Sequence, residues 1–193
     1  MLSTLKAREV LEAAFLARGL SPTLKELQAV QGIGRFEGNW GAAFGGANNW
    51  GAIQCPGKRP PCGQQCTEVT DTHAGGEPYQ ACVRRYASPV EGAADLVREL
   101  YRREGVPEAL RAGIGRLIAE RMRASGYFEA PVSKYASAIV AHAGKVADDL
   151  GEPRAVMLDG EILPVLPASK RGSVALLVAL AVGGGFLLWR RAA

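Results

Sequence analysis

The residues best equipped to do chemistry lie between Gln31 and Gln54, where Glu37 stands beside Phe36 and Trp40 and is followed by Asn48-Asn49-Trp50-Gly51. A carboxyl packed against aromatic surface loses the water that would solvate its charge, so its pKa rises. A raised pKa keeps the proton in place near neutral pH, which is what a general acid needs to protonate a leaving oxygen. Glu37 is therefore the candidate acid. The competing reading, a solvated glutamate at a helix end, differs in one respect only, the burial of the carboxyl.

All four cysteines, Cys55, Cys62, Cys66 and Cys82, fall in the stretch that follows. That stretch is rich in Gly, Asn, Pro and Thr and poor in large apolar residues, so a lobe built from it gains most from cross-links. The alternative is zinc, but the spacing lacks a Cys-x-x-Cys pair and His73 is the only histidine nearby. Disulfides are therefore expected and no metal site or cofactor is. Four cysteines allow three pairings, and the spacing does not rank them. Disulfides would place the domain in an oxidising compartment.

The elements that must position these groups are mostly helical. Residues 2–18 carry apolar positions at helical spacing and stop at Gly19. Ser21-Pro22 reads as the cap and first-turn proline of a second helix running through Leu24, Leu27 and Val30 toward Gly32-Ile33-Gly34, with Glu37 at or just past its end. From Gly38 to Cys82 no helical period survives, and loops with a short hairpin are expected. Ser88-Pro89-Val90-Glu91 reads as a capping box that starts the next helix. Pro107 to Arg123 is one helix or two, given Gly113 and Gly115. The stripe Val132, Tyr135, Ala136, Ile139, Val140, Ala143, Val146, Ala147 and Leu150, closed by Gly151 and Pro153, predicts a long final helix.

The net charge of +4 comes without a Lys/Arg stripe interleaved with aromatics, which argues against nucleic acid as a partner while suiting anionic surfaces such as membranes and bacterial walls. Charged residues interrupt the first ten positions, so no secretory signal is read there. Ser173 to Trp189 contains no charge and lies between Lys170-Arg171 and Arg190-Arg191. At about 1.5 Å per residue it spans roughly 25 Å, slightly short of a hydrocarbon core, and flanking basic residues can snorkel to cover the rest. It is the candidate membrane span. The intervening 152–169, with Pro153, Pro164 and Pro167, reads as an extended linker.

Three motifs in order carry a resemblance to a known family. The segment from Gln31 to Gln54 is similar to the catalytic motif of family 73 glycoside hydrolases, lysozyme-like N-acetylglucosaminidases acting on peptidoglycan. Val83-Arg84-Arg85-Tyr86-Ala87-Ser88, followed by Glu91, Asp95 and Leu96, resembles that family's Arg-x-Tyr-x-Ser segment. Gly126-Tyr127-Phe128, with Pro131 and Tyr135-Ala136, resembles its Gly-Tyr-Ala segment before the last helix. Together the motifs span about residues 24–148.

The resemblance implies a mainly α, lysozyme-like α+β domain with a small Cys-rich lobe, and the chain divides into that domain over residues 1–151, a linker over 152–169 and an anchor over 170–193. It implies cleavage of the glycan strands of peptidoglycan with Glu37 as general acid. Asn48 and Asn49 would shape the substrate floor, Trp50 would contact sugar or pack, and Tyr127 would line the cleft near the bond that breaks. Trp40 and Tyr135 are candidates for either packing or sugar contact, and Arg85 and Tyr86 for buried supports. Glycosidases generally pair two carboxyls, at roughly 5 Å for retention or roughly 6.5–9.5 Å for inversion. Glu68, Asp71 and Glu77 all lie in the insert where the family has a lobe facing its glutamate, and Asp71 is the preferred partner. A lytic transglycosylase working with Glu37 alone and a silent wall-binding or assembly protein remain as rival functions. A membrane-anchored domain facing the cell wall, carried by a phage particle or acting in lysis, is the setting that this organisation suits.

Overall fold

The computed structural model describes residues 1–57, 60–72 and 77–159, and over these the chain is mainly helical with one two-stranded sheet, as expected. Helix α1 (Thr4–Ala17) is capped by the Ser3 side chain, which accepts from the Lys6 amide at 3.2 Å. Helix α2 (Leu24–Gly38) starts later than the Ser21-Pro22 reading required. Thr23 is its cap, because Thr23 and Glu26 form a reciprocal capping box: the Glu26 carboxylate accepts from the Thr23 amide at 2.8 Å, and the Thr23 hydroxyl accepts from the Glu26 amide at 3.3 Å. Two orphan amides satisfied together outweigh a proline that only fits the first turn. An irregular turn, α3 (Ala43–Gly46), follows.

The insert folds as a hairpin of β1 (Cys66–Thr72) and β2 (Pro78–Arg84), antiparallel, with Cys66 opposite Arg84 and Asp71 opposite Tyr79. Disulfides join Cys55 to Cys66 and Cys62 to Cys82, with Cα atoms 6.6 and 5.5 Å apart. Buried sulfur forms this lobe's own apolar cluster, separate from the helical core. The expected pairing of cysteines by disulfides is thus found, and among the described residues no group of side chains could hold a metal ion; His73 lies outside the described residues.

Ser88 caps α4 (Pro89–Tyr101) as its motif predicts, accepting from the Glu91 amide at 3.2 Å. The Pro107 to Arg123 region resolves into two helices, α5 (Val106–Ala112) and α6 (Gly115–Ala124), because Gly113 turns left-handed and Ile114 is extended. Helix α7 (Val132–Leu150) ends at a left-handed Gly151 and buries Tyr135, Ala136, Ile139, Ala143, Val146 and Ala147, the predicted stripe.

Helix α2 lies at the centre, packed chiefly by α7 and also by α5, α1 and α4. Its buried polar groups are all answered. Gln31 donates to the Thr4 carbonyl at 2.8 Å and accepts from Arg8 at 2.9 Å. Arg8 also forms a two-pronged ion pair with Glu152 at 2.6 and 2.9 Å.

The chain after α7 does not leave the domain at once, although 152–169 reads as a linker. Gln28 bonds the Pro153 carbonyl and the Ala155 amide, Val156 is buried, and Met157 exchanges backbone hydrogen bonds with Gly113 and Gly115. The prolines stiffen this segment, but the free backbone edge at Gly113–Gly115 gives it a place to pair. Residues 160–169 and the candidate span 173–189 lie outside the described residues; within those described, no helix is long and apolar enough to cross a membrane.

The two kinds of core predict two kinds of failure. Reduction of both disulfides is expected to expose the segment between Cys55 and Cys82 to protease while the helical circular dichroism melt shifts only slightly. A collapse of the helical melt on reduction would contradict the separation of the cores.

Candidate active site

Glu37 sits in the last turn of α2, and the chain reverses immediately after it. Asn39 adopts a left-handed conformation, so the amides of Asn39 and Trp40 reach back to the carbonyls of Arg35 and Gly34 at 3.1 and 3.0 Å. The chain then returns as Asn48-Asn49-Trp50-Gly51, a strap laid across the end of α2 and against α4. Two glycines permit this closeness. A Cβ on Gly38 would lie 2.1 Å from the Asn49 carbonyl oxygen, and one on Gly92 would lie 1.7 Å from the Asn48 carbonyl oxygen.

The strap residues act inward. Asn49 is fully buried and bonds the Ile53 carbonyl and amide at 2.9 Å each and the Arg84 carbonyl at 3.0 Å. Asn48 donates to the Tyr86 carbonyl at 3.0 Å. Trp50 has no exposed surface and packs against Gly34 and Leu96. Trp40 is almost fully buried, donates to the Gln31 carbonyl at 2.9 Å and carries the Arg35 guanidinium over its ring. Of the readings open for Trp40 and Trp50, packing is the one their burial fits. The expected floor residue Asn49 touches backbone on every polar atom, so it builds the site without facing it.

Glu37 opens into a cleft of about 1060 Å³ between the hairpin and the loop that precedes α7. Its carboxyl is pushed up to about 7, first by burial, with the negative charge of Asp71 adding to the rise; a hydrogen bond from Tyr135 acts in the opposite direction. Tyr135 is held for this contact. Its ring stacks on Phe128 with centroids 3.8 Å apart and meets Phe36 edge-on at 5.3 Å. Burial and the neighbouring Glu37 hold the Tyr135 phenol well above its ordinary pKa, so it stays a donor.

Asp71 lines the same cleft and accepts from the Tyr79 hydroxyl at 2.9 Å, while Gln54 donates to that hydroxyl at 3.0 Å. Tyr127 also lines it, its hydroxyl donating to the Gly51 carbonyl at 3.1 Å and its phenol held protonated by burial. Glu37, Asp71, Tyr127 and Tyr135 are therefore brought together. Glu68 and Glu77 are not among the cleft residues; Arg85 is exposed rather than a buried support, while the half-buried Tyr86 donates to the buried Asp95.

Sequence reasoning missed Gln54, Tyr79, Phe128 and the cationic group Arg84, Arg102 and Arg103, all of which line the cleft. Tyr79 faces Asp71 because the hairpin pairs Cys66 with Arg84, a register that the cysteine spacing does not give. Arg102 and Arg103, just past the end of α4, follow Glu99 at ion-pair spacing.

No protein-family model matches the chain, and no curated protein does. A solved structure does. The fold is similar to that of the glycoside hydrolase domain from Salmonella typhimurium FlgJ, with a TM-score of 0.51 and 18% sequence identity over 78% of this chain and 92% of that one. A C-terminally truncated form of the same domain aligns at a TM-score of 0.47 and 20% identity, over 74% of this chain and 98% of that one. At these identities the likeness establishes the fold. It does not assign the chemistry.

The raised Glu37 carboxyl has a consequence for stability. A group whose folded pKa lies above its unfolded value contributes fully below the unfolded value, about 4.5, and loses that contribution as pH rises through about 7. Glu37→Gln is expected to match the wild type in stability near pH 4 and to exceed it near pH 8. Allowing for the open side of the cleft, the gain is on the order of 2 kcal/mol. Denaturant melts at the two pH values measure it, and an equal difference at both would mean the carboxyl is not desolvated.

Proposed function

We propose that the domain is a peptidoglycan-cleaving glycosidase of the endo-β-N-acetylglucosaminidase type. The observation that carries this reading is a carboxyl protonated near neutral pH, Glu37, open to a cleft that a second carboxylate, Asp71, also lines. The similarity to the FlgJ glycoside hydrolase fold supports it.

In the reaction, the Glu37 proton passes to the glycosidic oxygen as the bond from that oxygen to the anomeric carbon breaks. Water adds to the anomeric carbon and gives up a proton, for which Asp71 is the acceptor, leaving a reducing N-acetylglucosamine end. Tyr135 holds one Glu37 oxygen and so fixes the carboxyl's direction. It also favours the charged form that exists after transfer. Tyr127 braces the Gly51 carbonyl at the cleft floor.

Digestion of purified peptidoglycan with mass spectrometry of the fragments tests the proposal. Reducing N-acetylglucosamine ends are expected from the wild type, with Glu37→Gln slower by about 10²–10⁴-fold. Anhydro-muramic ends would instead assign a lytic transglycosylase. No release from several wall types would leave a wall-binding module.

The pH profile is a second check. Because the acid must be protonated, kcat/KM is expected to fall as pH rises through about 7. Tyr135→Phe removes the bond that lowers the Glu37 pKa, so its alkaline limb should move upward, even as its rate drops; an unchanged limb would sever Tyr135 from the acid.

The uncharged run from Ser173 to Trp189, flanked by basic pairs, supports a membrane anchor that holds the domain facing the wall. Full-length protein is expected in the membrane fraction after expression, and protein ending at residue 162 in the supernatant. Equal partition of the two would remove the anchor from the proposal.

A further inference from the structure

The cleft wall built by α4 and the end of β2 carries more positive than negative charge. Three guanidiniums, Arg84, Arg102 and Arg103, line it beside one buried carboxylate, Glu99. Glu99 is buried and Arg102 is the cation that reaches outward: the Glu99 side chain is 8% exposed and that of Arg102 is 61% exposed. Arg102 donates to one Glu99 oxygen through Nε at 2.8 Å and Nη2 at 2.5 Å. Its guanidinium is thereby aimed into the cleft rather than left to wander.

Arg103 ties this wall to the reacting centre. It donates to the Ser125 carbonyl at 2.5 Å, lies 5.0 Å over the Tyr127 ring, and its buried Nε has no hydrogen-bond partner among the described residues. Tyr127 in turn bonds Gly51, beside which Glu37 opens. One aromatic ring therefore separates the cationic wall from the acid.

A neutral sugar chain calls for hydroxyl and amide partners and for apolar faces, but for no net charge. Arginines fixed by a buried carboxylate and left in excess form a preset anion site with little ordering cost on binding. We infer that Arg102 and Arg103, held by Glu99, form a subsite for an anionic substituent on the sugar next to the bond that is cut. The inference rests on the glycan-cleaving reading for its substrate and names what that substrate must carry. A peptide carboxylate and a phosphodiester polymer share the required chemistry.

The test uses three wall preparations: intact, with the peptide carboxylates capped as neutral amides, and stripped of phosphodiester polymer by hydrofluoric acid. Wild-type kcat/KM is measured on each, together with cosedimentation of Glu37→Gln, which reports binding without cleavage. Removal of the charge that is read should lower both quantities by about fivefold, the size of a partly exposed ion pair. Whichever treatment does so identifies the source. Arg102→Gln should lose a similar factor on intact walls and no longer distinguish them from the treated ones. Equal binding and cleavage on all three walls, or discrimination retained by Arg102→Gln, would overturn the subsite. If Glu37→Gln discriminates in binding while the wild type cleaves nothing, the glycosidase reading fails and the anion subsite stands.

Discussion

The backbone of Asn48 to Gly51 lies in direct contact with the end of α2 and with α4, and this close approach organises the site. It brings Trp50 onto Gly34 and lets Asn49 join the strap to Ile53 and Arg84. Arg84 is the last residue of β2, so the same asparagine that anchors the strap to the helical core also anchors the hairpin. The acid's helix, the cleft floor and the lobe that carries Asp71 meet at one buried amide side chain. A side chain at Gly38 or Gly92 would separate them, which is why these positions tolerate nothing larger.

This arrangement gives one small domain two carboxyls in different surroundings. Glu37 belongs to the dry end of α2, under the rings of Tyr135 and Phe36, and burial keeps its proton on. Asp71 belongs to a thin hairpin, open to water and bonded by Tyr79. Each depends on a different stabilising force: hydrophobic packing of six helices for Glu37, disulfides and a short ladder for Asp71. The negative charge of Asp71 then feeds back, raising the Glu37 pKa across the cleft.

What could be read from the sequence follows the reach of each physical rule. Local rules sufficed for the Ser88 cap, the α7 stripe and the Gly151 stop, since the groups involved are within a turn of each other. The Ser21-Pro22 reading missed the Thr23 cap because a serine followed by proline satisfies a local rule of its own. That Glu37 would lose water at a helix end was legible, but the ring that contacts its carboxyl, Tyr135, comes from α7, far away in sequence. Asn49 and Trp50 were legible as special but not in their direction. Whether such residues face a ligand or the core depends on contacts with Gly34, Ile53 and Arg84, set by tertiary packing rather than spacing. The docking of 152–158 was hidden for the same reason, its partners Gln28, Gly113 and Arg8 being far away in sequence.

The two buried carboxylates of α4 complete the division of labour. Asp95 gathers Arg84, Arg98 and Tyr86 and thereby fixes the root of β2. Glu99, one turn on, gathers Arg102 and Arg103 and faces the cleft. Burying a carboxylate without a partner would cost several kcal/mol, so each must be answered by cations. Asp95 ties Arg84 and Arg98 to the root of the hairpin, while Glu99 holds Arg103 beneath the surface and sends the Arg102 guanidinium outward at the cleft. The helix that supports the hairpin through Asp95 thus, one turn on, holds Arg102 and Arg103 at the cleft through Glu99.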